Sequence, residues 1–280
     1  MRGEVRVYQR KIVAKKRRQA FYYPFYSLCA ATIFVCALSF VSHIESLSIQ
    51  RVEIAGNERM LSSDIESIVW KSLSGNYQGL FSRRNALLYP RDEIAVSIAL
   101  APLVKSVEVS REGLGTVSVR IVEREEAALW CEDDSEEALC YSVDEEGFVF
   151  ASVFDRASST ESFVYRGLIE EEPIGKKLLS GPEFKKMQFF IRELSGLSVE
   201  PREARLGGSG SLSVLLGAGG RIVVNQRDDL SAVLGNIAAV ISDRKVAPDL
   251  RAFLDTLDYI KFDAGNKVVY KVKGSTAPLE

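Results

Sequence analysis

The feature that most constrains this chain is an apolar stretch of twenty residues without a formal charge, placed directly after a basic leader. The stretch runs from Phe25 to Ile44, and aromatic residues cluster at its basic end. A helix of about 20 residues crosses about 30 Å of hydrocarbon, and aromatic side chains favour the membrane interface. The sequence therefore predicts a single transmembrane helix over residues 25–44, behind a basic tail over residues 1–24.

Two other structures could use the same stretch. A cleavable export signal has an apolar core of only about 7 to 15 residues, and its basic leader is usually short. A buried helix of a soluble protein seldom lacks charge so uniformly, although Cys29 and Cys36 lie seven residues apart on one face that could pack against a neighbour. Length and charge favour the permanent span over both alternatives.

The charge on the two sides of the stretch predicts its orientation. Residues 1–18 carry eight Lys or Arg and one Glu. Because Lys and Arg are retained on the cytoplasmic side of a span, we expect a cytoplasmic amino terminus with the bulk of the chain outside. The whole chain has a formal charge of −2, so the part beyond the leader is acidic. We therefore expect membrane lipid at the span and no nucleic acid as a partner.

Residues 47–123 alternate between strand and helix patterns. A strand pattern in Leu47 to Asn57 precedes amphipathic helix patterns in Ser63 to Leu73 and Pro90 to Pro102, with a polar loop between them. Two strand patterns around a Gly-containing turn then occupy Val104 to Glu123. The predicted order is β-α-α-β-β, which is an α+β domain.

The remainder predicts a second, β-rich domain over residues 124–273, with several helices and a frayed tail over residues 274–280. Two segments near its end, Leu257 to Phe262 and Lys267 to Lys273, have strand patterns around a short turn. We therefore expect the fold to end on a β-hairpin. The whole chain is predicted to be a membrane-anchored α+β protein.

Several of these segments carry a family resemblance. The strand motif V-x-I-x-G-N at Val52 to Asn57, with the element order after it, resembles a POTRA domain. The segments "VEREEAALW", "YSVDEEGFVF" and "LDYIKFDAGNKVVYKVK" resemble, in order and spacing, the FtsQ/DivIB family of bacterial cell-division proteins. Two positions depart from the family pattern: Glu126 stands where Pro often follows Glu-Arg, and Tyr259 to Phe262 replaces an Asp-Leu-Arg-aromatic run.

The resemblance implies a divisome scaffold that holds other septal division proteins outside the cytoplasmic membrane and so helps to control septal peptidoglycan synthesis. It implies that the POTRA-like domain contributes to recruitment and that the β domain binds an FtsB/FtsL-like pair. A different class of function for a POTRA-containing envelope protein is polypeptide export or outer-membrane assembly. That class predicts tandem POTRA repeats or a carboxy-terminal barrel, and the sequence has neither pattern.

Catalytic residue combinations are scarce in this sequence. The only histidine is His43, at the end of the span, so a Ser-His-Asp or Cys-His arrangement cannot form in the exterior domains. A carboxylate-based hydrolase could use the acidic groups at Asp133-Asp134, Glu170 to Glu172 or Asp228-Asp229, but adjacent acids usually solvate a surface. No metal-ligand cluster or phosphate-binding loop occurs. We expect no enzyme, no cofactor and no small-molecule substrate.

Two cysteines in the β domain predict a disulfide. Cys131 and Cys140 flank an acidic loop, and a hairpin across this loop would bring the thiols together. An oxidising exterior favours the bond. The alternative is that both act only as small apolar residues.

The predicted partner site is the terminal hairpin. Its last strand has no strand after it in the chain, so one side can be an open edge that accepts another chain by β-augmentation. The alternative is that Lys267, Lys271 and Lys273 guard this edge against pairing. The resemblance favours binding, because the family receives FtsB on its last strands and the turn before them. The predicted site comprises Lys261, Phe262, Gly265, Val269, Tyr270 and Lys271, with Tyr270 as an aromatic anchor.

Overall fold

A computed structural model of the 280-residue chain describes residues 2–132, 139–153, 162–169, 171–243, 245–247, 249–263 and 267–275. The chain divides into two compact units, Met1–Glu123 and Arg124–Glu280. Each unit has its own hydrophobic core.

The first unit begins with one long helix, α1 (Arg2–Ser42). Its segment Tyr22–Ser42 is long and apolar enough to cross a membrane, and nearly all its side chains are exposed in the isolated chain. The helical backbone runs through Pro24 and ends at Ser42, slightly before the predicted end of the span. His43 and Ile44 continue it only with turn-type bonds to the carbonyl groups of the preceding turn.

The rest of the first unit is an α+β domain around a three-stranded sheet. Its elements are β1 (Arg51–Ala55), α2 (Ser62–Leu73), β2 (Asn76–Tyr77), β3 (Phe81–Ser82), α3 (Arg91–Ala99), β4 (Val104–Glu112) and β5 (Thr116–Glu123). The sheet order is β1-β5-β4, with β1 parallel to β5 and β4 antiparallel to it. The predicted β-α-α-β-β order is confirmed, and the predicted polar loop between the helices contains the small hairpin β2–β3.

One face of this sheet and the two short helices share a core. The helices contribute apolar side chains at helical spacing, and β4 and β5 contribute every second residue, as a half-buried sheet requires. The buried members are Ile49, Ile65, Val69, Leu73, Ala86, Ile94, Ile98, Val104, Val109, Val117, Val119 and Ile121. Burial of each Ile, Leu or Val side chain among them stabilises the fold by about 1.5 to 3 kcal/mol.

The turn after β1 accepts only glycine. Gly56 has a φ of +84°, and a Cβ at this position would lie 2.0 Å from the carbonyl oxygen of Ile121 on β5. The next turn is held by the Glu123 carboxylate, which accepts hydrogen bonds of 2.9–3.1 Å from the N–H groups of Glu58, Arg59 and Met60. The glycine of the V-x-I-x-G-N motif is therefore fixed by close approach of two backbones.

We predict that Gly56→Ala lowers the free energy of unfolding of this domain by at least about 3 kcal/mol, because backbone strain and overlap with a backbone oxygen act together. Gly113→Ala is the matched control, since Gly113 has a φ of +66° and nothing within 4 Å of its added Cβ. That control should lose only about 1 to 2 kcal/mol from strain. Urea unfolding followed by Trp70 fluorescence measures both, and equal losses would contradict the close-approach explanation.

The Glu123 carboxylate predicts a pH dependence of the same domain. Burial raises the pKa of Glu123, but the hydrogen bonds from Met60, Arg59 and Glu58 outweigh burial and leave the pKa below the usual value. A carboxylate with a lowered folded pKa stabilises the fold above its unfolded pKa of about 4.3, and this contribution is lost as pH falls through the folded value. The free energy of unfolding should therefore decrease below about pH 5.

The test of this prediction is urea unfolding of Glu123→Gln between neutral and acidic pH. The variant should be less stable than the natural chain at pH 7 and should lose less stability on acidification. Glu53→Gln, at an exposed position on β1, is the control and should leave the pH dependence unchanged. Identical pH profiles for Glu123→Gln and the natural chain would contradict the assigned role.

The second unit is built on one large sheet. Its described elements are β6 (Ala128–Cys131), β7 (Cys140–Val143), β8 (Val149–Val153), β9 (Phe163–Arg166), α4 (Gly181–Gly196), β10 (Pro201–Leu206), β11 (Ser211–Leu216), β12 (Arg221–Asn225), α5 (Leu230–Ser242), α6 (Leu250–Thr256), β13 (Leu257–Asp263) and β14 (Lys267–Val272). The strand order is β14-β13-β12-β11-β10-β9-β6-β7-β8. The predicted β-rich region with several helices and a terminal hairpin is confirmed.

Helices pack on one face of this sheet and explain its mixed strand directions. The core combines residues of α4, α5 and α6 with one face of the sheet. The strand pairs β9–β10 and β12–β13 are parallel, because α4 connects the first pair and α5 with α6 connects the second. A third parallel pair joins β6 to β9. The strand patterns in the sequence did not predict these directions.

Candidate partner-binding edge

The strand β14 lies at one end of the sheet in the second unit. It pairs antiparallel with β13, and its other side has no strand partner among the described residues. Its six residues rise about 20 Å along this side. Such an edge presents backbone N–H and C=O groups to an incoming strand.

The opposite edge of the sheet is partly covered by the chain itself. The N–H of Val149 on β8 donates to the carbonyl of Lys176 at 2.9 Å, and the N–H of Gly175 donates to the carbonyl of Val149 at 2.8 Å. The start of β8 is therefore already paired with residues 175–176. In the described part of the chain, β14 is the more open of the two edges.

The structure brings five of the six predicted site residues together on this terminal hairpin. Lys261 and Phe262 lie on β13, and Val269, Tyr270 and Lys271 lie on β14. Val269 is directly opposite Lys261. The sixth predicted residue, Gly265, lies outside the described residues.

The helix-side face of the hairpin is apolar and already packed. Phe262 is only 7% exposed and belongs to the core. Tyr270 is half-buried, and its ring meets the ring of Phe253 on α6 edge to face, with a centroid separation of 5.9 Å. The Tyr270 ring therefore supports α6 as well as the edge strand, so its replacement affects packing and edge chemistry together.

The other face of the hairpin carries charge. The Nζ of Lys271 lies 3.9 Å from Oδ2 of Asp258, and a guanidinium nitrogen of Arg221 on β12 lies 3.7 Å from the other oxygen of Asp258. Lys261 is exposed on the same face. Among the side chains that the structure describes on this face, the two lysines and Arg221 outnumber Asp258, so the face is locally positive and favours an acidic partner segment.

Lys273, the residue directly after β14, is held within its own domain. Its Nζ donates to the backbone carbonyl of Asp255 at 2.8 Å and to that of Ala218 at 3.4 Å. The N–H of the same residue, Lys273, donates to the carbonyl of Thr256 at 2.8 Å. With Lys271 beside Asp258, two of the three lysines that could guard the edge are engaged with their own domain. This observation favours an accessible backbone edge.

Two segments that carried the family resemblance meet in this unit. Arg124 forms an ion pair with Asp144, and its guanidinium lies 4.0 Å from the centroid of the Phe148 ring. Asp144 is 2% exposed and also accepts hydrogen bonds from the N–H groups of Glu146 and Phe148, at 2.8 and 3.0 Å. Arg124 of the segment "VEREEAALW" thus neutralises the buried turn carboxylate of Asp144 in the segment "YSVDEEGFVF".

Of the three acidic groups considered for catalysis, the pair Asp228-Asp229 has structural roles. Asp228 accepts a hydrogen bond of 3.0 Å from the N–H of Asn225, and Asp229 caps α5 by accepting from the N–H groups of Ser231 and Ala232. Asp133, Asp134 and Glu170 lie outside the described residues, and Glu171 and Glu172 are exposed. Within the described ranges, no group of three His, Cys, Asp or Glu side chains could hold a metal ion.

The cysteines of the β6–β7 hairpin lie directly opposite each other on the two strands. The sulfur atoms of Cys131 and Cys140 are bonded at 2.04 Å, and both residues are buried against Leu129 on the face of the sheet that α4 does not cover. The disulfide links the two strands at the base of the acidic loop.

We predict that alkylation of the natural chain without reductant labels neither Cys131 nor Cys140 and that reduction before alkylation exposes both. The double variant Cys131→Ser/Cys140→Ser should lose about 2 to 3 kcal/mol of stability, since the unfolded chain regains the freedom of a short loop. Cys29→Ser/Cys36→Ser, which replaces the two free cysteines of α1, is the control and should leave the stability of this unit unchanged. Full labelling without reductant would contradict the disulfide.

Comparison with known families identifies the domain after the helix. Residues 47–124 match the family model described as POTRA domain, FtsQ-type. No curated protein matches the chain. The chain therefore carries a POTRA domain of FtsQ type behind an apolar helix long enough to span a membrane, as is consistent with a member of the FtsQ/DivIB family.

Proposed function

We propose that this chain is a single-span scaffold of the bacterial division machinery, which binds other division proteins outside the cytoplasmic membrane and helps to control septal peptidoglycan synthesis. The observation that carries the proposal is the FtsQ-type POTRA domain placed directly after an apolar helix. Domains of this family serve as non-catalytic scaffolds in division.

The orientation of the protein follows from charge. The eight Lys or Arg residues among residues 1–18 keep the amino terminus in the cytoplasm, so residues 47–273 lie outside. Residues 47–123 contribute to recruitment, and residues 124–273 form the domain that binds partners. The protein is enriched at the division septum, as its FtsQ-type domain suggests.

This orientation predicts the outcome of reporter fusions. A phosphatase fused after Glu45 should be active, because it would lie in the oxidising exterior, and one fused after Arg18 should be inactive. A reporter that needs the cytoplasm should give the reverse pattern. An inactive phosphatase after Glu45 would exclude the proposed topology, and recovery of a soluble chain beginning near His43 would show a cleaved signal.

The partner site is the edge of β14, which receives a strand of an FtsB-like protein, with the FtsL-like protein bound beside it. Main-chain hydrogen bonds to β14 give affinity, and alternate side chains give specificity. On the helix-side face Tyr270 provides an aromatic surface, and on the other face the exposed Lys261 favours acidic partner residues. The open side of β14 and the engaged Lys271 and Lys273 support this assignment.

We predict that Tyr270→Ala weakens binding of the FtsB-like partner by at least about 30-fold, since truncation of a central aromatic anchor typically removes about 2 kcal/mol or more. Val269→Pro should abolish binding by disrupting the edge strand. The measurement is titration calorimetry of the purified full chain in detergent with the partner. Far-ultraviolet circular dichroism shows whether each variant remains folded.

Phe253→Leu is the matched control for Tyr270→Ala, because it removes the ring that Tyr270 contacts without changing the edge strand. If Tyr270 acts through the partner, this control should bind nearly as tightly as the natural chain. Equal losses for Tyr270→Ala and Phe253→Leu would mean that only internal packing matters. Natural affinity of both Tyr270→Ala and Val269→Pro would place the partner site elsewhere.

A further inference from the structure

We propose that the β2–β3 hairpin and the loop after it, residues 76–91, rest on the outer interface of the lipid bilayer as a second membrane contact beside the span. The inference rests on the proposed insertion of α1 in the membrane and goes beyond it. This segment, called the interface segment below, belongs to the same compact unit as α1.

The interface segment is bonded to the last turn of α1. The hydroxyl of Ser39 donates to the carbonyl of Leu80 at the tip of the hairpin. The hydroxyl of Ser42 accepts from the N–H of Ser82 at 3.2 Å, and the carbonyl of Ser42 accepts from the side-chain amide of Asn85 at 3.2 Å. Ser42, Ser82 and Asn85 are all less than 9% exposed. These buried bonds fix the hairpin to the helix.

The residues that follow α1 run beside the interface segment and are hydrogen-bonded to it. The N–H of Ala86 donates to the carbonyl of Leu47 at 2.7 Å, and the N–H of Ile49 donates to the carbonyl of Arg84 at 2.8 Å. The residues between α1 and β1 are therefore tied to the interface segment rather than free to act as a linker. The position of the helix in the bilayer consequently determines the position of the segment.

The contacts with α1 place the hairpin at the level of the membrane surface. Ser39 lies three residues before the end of the apolar helix at Ser42, which corresponds to about 4.5 Å along the helix axis. The whole segment Tyr22–Ser42 is about as long as the hydrocarbon core is thick, about 30 Å. The carbonyl of Leu80 is therefore beside the last turn of the span, where hydrocarbon gives way to headgroups.

The composition of the interface segment suits this environment. Residues 76–91 contain three Arg, three aromatic residues and three Leu, and no Asp or Glu. Large apolar side chains that are more than a third exposed are Tyr77, Leu80, Leu87 and Leu88, at 36%, 43%, 68% and 45%. Exposed aromatic and aliphatic side chains beside arginines are typical of segments that lie in a membrane interface.

Arg84 is exposed and presents positive charge at the domain surface, whereas a carboxylate partly offsets the charge of Arg83. The guanidinium of Arg83 lies 5.2 Å from the centroid of the Tyr77 ring and pairs with Glu93. Arg84 donates to the carbonyl of Ile49 at 3.1 Å and stacks over the Trp70 ring. The partner that fits this combination is a phospholipid surface, whose phosphates meet Arg84 and whose upper acyl chains meet the leucines.

The test uses environment-sensitive probes on the full chain in vesicles of phosphatidylethanolamine and phosphatidylglycerol. In a background with Cys29→Ser and Cys36→Ser, a single cysteine is introduced as Leu80→Cys or Leu87→Cys and labelled with a nitrobenzoxadiazole fluorophore. Quenching is compared between lipids that carry a spin label at a shallow and at a deep acyl position. We expect both probes to be quenched more by the shallow label.

Leu61→Cys provides the matched control. Leu61 is 65% exposed, close to Leu87 at 68%, and belongs to the same domain, but it follows the far end of β1, where Ala55 lies about 13 Å along the strand from Arg51. The Leu80 probe should lose at least about twice the fraction of emission that the Leu61 probe loses. If the Leu80 and Leu87 probes are quenched no more than the Leu61 probe, the interface contact is wrong.

A probe at Phe34→Cys separates failure of this inference from failure of the anchor. Phe34 lies in the middle of the apolar helix and is 64% exposed. Deep quenching at Phe34 together with no quenching at Leu80 would overturn the interface contact and leave the span intact. Absence of quenching at Phe34 would overturn both the span and the contact. A Leu80 probe shielded from aqueous iodide yet unquenched by lipid would indicate a protein partner and would also overturn the inference.

Discussion

The organisation of the first unit depends on a small set of buried hydrogen bonds around Ser42. Its hydroxyl and carbonyl bind Ser82 and Asn85, at the point where an apolar helix ends and an aqueous domain begins. Unpaired polar groups at such a boundary would be costly, so the bonds both satisfy the helix end and fix the domain to it. A POTRA domain joined in this way takes its position from the helix, without a flexible connection. Membrane insertion of α1 would therefore determine where the domain acts.

The second unit follows a different constraint, which is the placement of helices on one face of a large sheet. Packing of α4, α5 and α6 buries that face, and residues 175–176 pair with the start of β8 at one edge. The side of β14 is left without a strand partner in the described part of the chain. Lys271 and Lys273, which could discourage pairing, are bound by Asp258 and by backbone carbonyls. The proposed scaffold function uses this remaining edge.

The sequence predicted those features that depend on local patterns. Hydrophobic periodicity predicted the β-α-α-β-β order and the terminal hairpin. The length of the uncharged apolar stretch predicted the apolar helix. The sequence did not predict contacts between distant segments: the oxygen of Ile121 that requires Gly56, or the packing of Tyr270 on Phe253. The hairpin β2–β3 was missed because two-residue strands have no measurable periodicity. The parallel pairs were missed because crossover helices, rather than strand residues, determine strand direction.

The most direct test of the scaffold proposal is amide hydrogen exchange of the full chain with and without its FtsB-like partner. Backbone hydrogen bonds to an added strand protect edge amides. The proposal predicts that amides of β14 gain protection when the partner is added and that those of β8, already partly paired, change little. If β14 exchanges equally fast in both samples while another surface becomes protected, the sheet edge is not the binding site, and the proposed mode of partner binding is wrong.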